Sequence, residues 1–180
     1  MELALKLLHS PEALDEAAFL AVFRQSSREN APEWYPDLSP EQALERYETS
    51  YLEYMRGPFW AEGGILALLA DESGYRSSLR LYPMEGKNRF FAEALETRPD
   101  SRRQGFGAEV LRRTAQALEA ELGPVELISN TYKANTASRA AHAAAGFEQV
   151  LDWWEEEGIR DRRQVTLIYT TPRGETTKGA

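Results

Sequence analysis

The sequence contains no cysteine. That absence removes disulfide bonds, thiolate zinc sites and a cysteine nucleophile together, and it fits a reducing compartment, the cytosol by default. Histidine is scarce as well. His9 and His142 are the only two, too few for a histidine-rich metal centre, so no metal is expected, although composition leaves room for a carboxylate magnesium site. Positive charge is outnumbered: 21 Lys and Arg stand against 29 Asp and Glu, a formal net charge of −8. Such a field repels nucleic acid and anionic membrane, and it favours a cationic partner where the acids line a cleft. Long apolar runs are missing too, since nothing approaches the roughly 20 residues of a membrane helix. The start Met1-Glu2 lacks a basic segment and the apolar stretch Leu3 to Leu8 is broken by Lys6, so no signal peptide is predicted.

What is present predicts one domain over 1–172, followed by a disordered tail over 173–180. Leu3 to Leu8 reads as a strand. Ser10-Pro11 supplies an N-cap and a proline at the first helical position, and Leu14, Ala18, Ala21 and Val22 recur at helical spacing to about Gln25. Ser26 to Pro36 reads as a polar, proline-containing loop. Ser39-Pro40-Glu41-Gln42 is a capping box that opens a second helix with a stripe of Leu44, Tyr47, Tyr51, Tyr54 and Met55, stopped by Gly57-Pro58. The continuous apolar run Ile65 to Ala70 predicts a strand buried on both faces, and Ser77 to Tyr82 its hairpin partner. Arg89 to Arg98 reads as a fourth strand on which Phe91, Glu93, Leu95 and Thr97 share a face by period two.

A helix carrying Leu111, Ala115, Leu118 and Leu122 then ends at Gly123-Pro124, and Val125 to Ser129 is a fifth strand. An alanine-rich helix from about Asn135 to Ala145 stops at Gly146, before two strands over Phe147 to Trp154 and Gln164 to Thr171. The result is a mixed α/β domain with about seven strands and about four helices.

Chemistry concentrates between the fourth strand and the helix that follows it. Small residues at Gly105, Gly107 and Ala108 let the backbone approach a bulky anion, and the first N–H groups of a helix are unsatisfied donors bearing about half a positive charge. Arg102 and Arg103 add charge-assisted bonds. Two glycines alone are accounted for by a tight turn. The run lacks the Lys-Ser/Thr of a P-loop and the third glycine of a dinucleotide fingerprint, so nucleoside triphosphates and NAD fit poorly.

A second segment, Thr131 to Asn135 through Ala145-Gly146-Phe147, completes a pattern. Together the two resemble the GNAT superfamily of acetyl-CoA-dependent N-acetyltransferases. The family's loop pattern Arg/Gln-x-x-Gly-x-Gly/Ala is matched by Arg102, Gly105 and Gly107. Its lead-in falls on Thr97-Arg98-Pro99, and its later Asn-x-x-Ala-x-x-x-Tyr-x-x-x-Gly-Phe falls on Asn135, Ser138, His142, Gly146 and Phe147. The resemblance is firmest over 89–150.

It implies a sheet splayed between the fourth and fifth strands, with the pantetheine arm of acetyl-CoA in the opening, bonded by backbone of 93–97. The implied cofactor-binding residues are Leu95 and Thr97 on the strand and Asn135 and Ser138 on the helix. From the loop come Arg102, Arg103, Gln104, Gly105, Phe106, Gly107 and Ala108. The implied reaction is direct attack of an amine on the thioester in a ternary complex, without a metal.

Glu93 is the candidate base, Glu96 on the other face its reserve, and a salt-bridged strand glutamate the alternative. His142 stands where the family carries a tyrosine that protonates the leaving thiolate. An imidazole can take that role, or it can be a half-buried packing residue. Asn135 suits a helix cap and a cofactor contact alike. Trp34 and Tyr35, in the expected loop, are candidates for touching the acceptor, whereas most of the tyrosine stripe reads as core. Trp153 to Glu157 reads as a sheet edge or a homodimer contact. The acceptor expected is a small-molecule or peptide amine, with a lean towards cations. The competing function is an acyl-CoA-binding module without catalysis.

Overall fold

The computed structural model describes residues 2–171, so the expected tail lies outside the described residues. The chain begins with β1 (Ala4–Leu8), α1 (Glu16–Trp34), α2 (Pro40–Arg56), α3 (Pro58–Ala61), β2 (Ile65–Asp71), β3 (Gly74–Pro83) and β4 (Arg89–Thr97). It continues with α4 (Phe106–Leu122), β5 (Glu126–Tyr132), α5 (Thr136–Ala144), β6 (Glu148–Leu151), β7 (Trp154–Glu156), β8 (Ile159–Asp161) and β9 (Gln164–Thr170). Seven strands form one sheet in the order β1-β2-β3-β4-β5-β9-β6. The β4–β5 pair is parallel and the other neighbours are antiparallel.

The doubly buried strand is present as read. β2 sends Ile65, Ala67 and Leu69 into a core shared with Val110, Leu111 and Leu118 of α4, and Leu66, Leu68 and Ala70 into a second core with Phe19, Val22 and Phe23 of α1 and Met55 of α2. A fully buried Leu or Phe stabilises the fold by about 1.5–3 kcal/mol, so β2 ties both helix layers to the sheet. The capping box also forms: Ser39 Oγ accepts from the Gln42 amide and Gln42 Oε1 from the Ser39 amide.

The parallel pairing that positions the site is short. β4 and β5 are in register from Arg89 with Glu126 to Ala92 with Ser129, and the strands part beyond that pair. The expected mixed sheet with an opening between its fourth and fifth strands is therefore present. On the β4 side the opening is lined by 93–97, whose inner edge has no β5 partner.

Three expectations need correction. Pro11–Ala13 makes a 3-10 turn, and α1 starts after Asp15, whose Oδ1 caps the Ala18 amide at 3.0 Å. The helix does not stop near Gln25 but runs through Pro32 to Trp34, because Ser27 and Ala31 continue its buried face. Period two fails on β4: Ala94 has φ 49° and the β3 register shifts between Ser78 and Arg80. This bulge places Glu93 and Glu96 together on the α1–α2 side and turns Leu95 and Thr97 towards α4. Two elements went unread: α3, with Pro58 at its first position, and the β7–β8 hairpin, closed by Glu157 and Gly158.

Candidate active site

The turn into α4 is an exposed row of donors. Arg103 (φ 61°) and Gly105 (φ 84°) both take the left-handed conformation, and a Cβ at Gly105 would meet nothing within 4 Å. Among the described residues, no hydrogen bond engages the amides of 103–108. Gly107 serves differently, by close packing: a Cβ there would lie 3.4 Å from Thr97 Oγ1 and 3.6 Å from Ala141 Cβ, so the first turn of α4 is wedged between the end of β4 and α5. Phe106 turns its ring into the core and leaves only its amide at the turn. Gln104 is exposed, as are Arg103 and Gly105.

Because β4 and β5 are parallel, the helices that follow them start at the same end of the sheet, which is where α/β folds gather anions. Asn135 caps α5 through Oδ1, which accepts from the Ser138 amide at 3.0 Å. The two halves of the sequence pattern therefore face one opening. Open donors, a backbone free of Cβ obstruction and an unpaired strand edge fit a diphosphate with an extended amide arm.

Arg102 does not extend to the exposed turn. Its guanidinium donates to Thr97 O (3.2 Å), Gln25 Oε1 (2.8 Å) and Glu96 Oε1 (3.1 Å). It thus joins α1, β4 and the turn. Glu96 also accepts from the Thr97 amide at 3.0 Å, and Glu93 pairs with Arg80 at 2.7 Å. Each strand carboxylate holds a cation.

His142 is 1% exposed and packs edge-on against Phe147. Its Nδ1 lies 2.8 Å from Ser138 O and its Nε2 3.0 Å from Ser129 Oγ. A carbonyl only accepts, so Nδ1 carries the proton and Nε2 accepts from the Ser129 hydroxyl. Burial lowers the imidazole pKa, against the hydrogen bond to Ser138 O. Ser129, absent from the sequence candidates, forms the last β4–β5 pair with Ala92 and sits at the apex of the opening.

On the other face, Phe23, Ser27, Tyr51, Arg80, Ala94 and Glu96 help line a groove of about 230 Å³. Trp34 and Tyr35 are not in its lining. Trp34 closes α1 and meets the ring of Tyr47, itself a groove residue, at 6.4 Å, while the Tyr35 hydroxyl bonds Ser50 Oγ at 3.0 Å. Trp154 of the hairpin, within the stretch expected to be a sheet edge or a homodimer contact, stacks on Phe91 at 5.1 Å. A larger cavity, about 320 Å³, lies between α5 and the β6–β9 edge, lined by Thr136, Arg139 and Phe147 among others. Among the described residues no cluster of His, Asp and Glu could hold a metal ion, and no helix is long and apolar enough to cross a membrane.

Comparison with known proteins agrees with this geometry. An aminoglycoside N(6')-acetyltransferase type 1 of Klebsiella aerogenes is 29% identical over 120 residues, 63% of this chain and 78% of that protein. The PaiA N-acetyltransferase of Thermoplasma acidophilum, solved with coenzyme A, superposes with a TM-score of 0.62 at 14% identity, covering 95% of this chain and all of that one. An acetyltransferase of Bacillus subtilis in complex with CoA gives 0.56 at 12% identity, covering 93% and 97%. These two likenesses concern the fold. The model of the acetyltransferase (GNAT) domain matches residues 6–148. A match running from the first strand past the helix that holds His142 leaves one assignment: the chain belongs to the GNAT acetyltransferase family.

Proposed function

We propose that this chain transfers an acetyl group from acetyl-CoA to a primary amine of a small molecule or peptide, both held at the opening between β4 and β5. The observation that carries this reading is the row of unpartnered amides at 103–108, at the same end of the sheet as the opening. They and Gly105 take the diphosphate, Asn135 and Ser138 border it on α5, and the unpaired edge of 93–97 takes the pantetheine amides. When bound, acetyl-CoA supplies the activated acyl group: the amine nitrogen bonds to the acetyl carbon as the carbon–sulfur bond breaks.

The chain's own groups manage position and protons. An alkyl amine with pKa about 10.4 is roughly one part in a thousand neutral at pH 7, which costs on the order of 4–5 kcal/mol unless a base assists. Glu93 takes that role from within its ion pair with Arg80, with Glu96, now on the same face, as its neighbour. His142 has no proton to present to the opening: its Nε2 accepts from the Ser129 hydroxyl and so orients that side chain, and the leaving thiolate takes its proton from solvent. The absence of cysteine agrees with a cytoplasmic setting for this single domain.

The test is coenzyme A release with a panel of amines, beside melting with and without acetyl-CoA. Turnover on at least one amine is expected. Glu93→Gln should lose most near neutral pH and recover towards alkaline pH, where the amine deprotonates unaided. The buried, proton-sharing His142 is the observation that favours the second reading, a binding module: an acetyl-CoA-dependent rise in Tm with no acetylated product on any amine or in a lysate would establish it instead.

A further inference from the structure

The groove holds polar atoms that the protein does not satisfy. Ser27 Oγ, the Tyr51 hydroxyl and Arg80 Nε are buried without a hydrogen-bond partner among the described residues, and all three residues line the groove. A buried polar group left unpaired costs about 1–3 kcal/mol, so three around one cavity point to a ligand that pairs them.

Arg80 sets the polarity of that ligand. Its Nε can only donate, its Nη2 already meets Glu93 Oε1 at 2.7 Å, and its guanidinium lies 5.5 Å and 5.6 Å from the ring centres of Tyr51 and Tyr54. Burial raises the Tyr51 pKa, against the pull of Arg80, so the hydroxyl stays protonated and able to donate. The Ser27 hydroxyl can rotate to donate. What is missing is therefore acceptor oxygen. A carboxylate carries acceptors only and gains charge-assisted bonds from Arg.

Charge and size narrow the choice. Glu93 is paired with Arg80 and Glu96 with Arg102, so the groove is locally balanced in spite of the net −8 of the chain. A polycation would find no free carboxylate on β4, whereas a molecule carrying one amine and one carboxylate leaves the balance unchanged. The volume, about 230 Å³, is below the roughly 300–1,000 Å³ of sites for drug-sized ligands. Ala94 and Leu95 line the same groove, at the bulge where β4 turns towards the opening.

We propose that the acceptor is a small amino carboxylate, its carboxylate held by Arg80, Tyr51 and Ser27 and its amine directed past Ala94 to the thioester. The proposal rests on the acetyltransferase reading above and names its substrate class.

Matched acceptors test it: α-amino acids, their amides and their decarboxylated amines, compared by kcat/KM for coenzyme A release. The free carboxylate should be preferred by about tenfold or more, the worth of a hydrogen bond to a charged group. Tyr51→Phe removes one hydroxyl and keeps the ring against Phe19 and Phe23. It should lower kcat/KM for the amino acid through KM, and by several-fold more than for the decarboxylated amine. Equal or better turnover on amines lacking the carboxylate, or an equal loss on both classes in Tyr51→Phe, would overturn the substrate class and leave the acetyltransferase standing. If no amine turns over, melting with the same amino acids decides. A rise in Tm that Tyr51→Phe abolishes upholds the carboxylate site while the acetyltransferase reading fails, and no rise with any of them overturns both.

Discussion

A neutral imidazole carries one proton, and in His142 the Ser138 carbonyl holds it. Burial sets the folded pKa below the ordinary value near 6.5, so the unfolded chain takes up a proton first as pH falls. The stability this neutral residue contributes is complete above about pH 6.5 and is lost as pH falls towards the folded pKa. Calorimetry between pH 7.5 and 5.5 should show a steeper fall in Tm for the native chain than for His142→Gln; parallel slopes would refute the assignment. The two glycines of the turn separate in the same way, by surroundings. Gly105→Ala meets open space but keeps a left-handed backbone, a cost of about 1–2 kcal/mol. Gly107→Ala makes ordinary contacts with Thr97 and Ala141 and gains helix propensity of up to about 1 kcal/mol. Thermal melting of the two variants should therefore move in opposite directions.

Among the elements, the bulge in β4 has the largest effect on the site. With Ala94 at φ 49°, Ala94→Gly should stabilise by up to about 1 kcal/mol, while the β-branched Ala94→Val should destabilise by more than that. Denaturant midpoints measure both, and a stable Val variant would mean that β4 is regular. The elements most legible in the sequence are those whose causes are local. The Ser39–Gln42 box, the all-apolar β2 and the Gly123 stop each depend on a few adjacent residues. The errors arise where distant packing decides. Ser27 and Ala31 carry α1 past its expected end because the core receives them, and a single residue in the left-handed region reverses the parity of β4. Neither leaves a periodic trace in the sequence. The β7–β8 turn has a local cause in hindsight, since Glu157 and Gly158 both take positive φ.

Across the whole molecule the same distinction separates cofactor from acceptor. The turn proposed to hold the diphosphate was legible because its donors are consecutive and Gly105 meets a left-handed backbone. The groove proposed for the acceptor draws on residues from Phe23 to Glu96 in four separate elements, which only the fold assembles. The loop expected around Trp34 and Tyr35 is helix as far as Trp34, and Tyr35 is the residue that ends it. Net charge was informative only at long range, because the groove carboxylates meet arginines from outside their own strand. Cofactor affinity gives a molecular-scale prediction: coenzyme A at 100 times its Kd should stabilise the fold by about 2.7 kcal/mol, read as a rise in Tm that Gly105→Ala diminishes.

The short register between Arg89–Ala92 and Glu126–Ser129 divides the sheet into two leaves joined by a narrow spine. One leaf carries β1 to β4 and the other β5, β9 and β6. A ligand arm lying between them would act as a removable strand that stitches leaf to leaf. Amide exchange along 93–97 should then slow on adding coenzyme A far more than exchange within β2, because only the former lies at an edge the ligand closes.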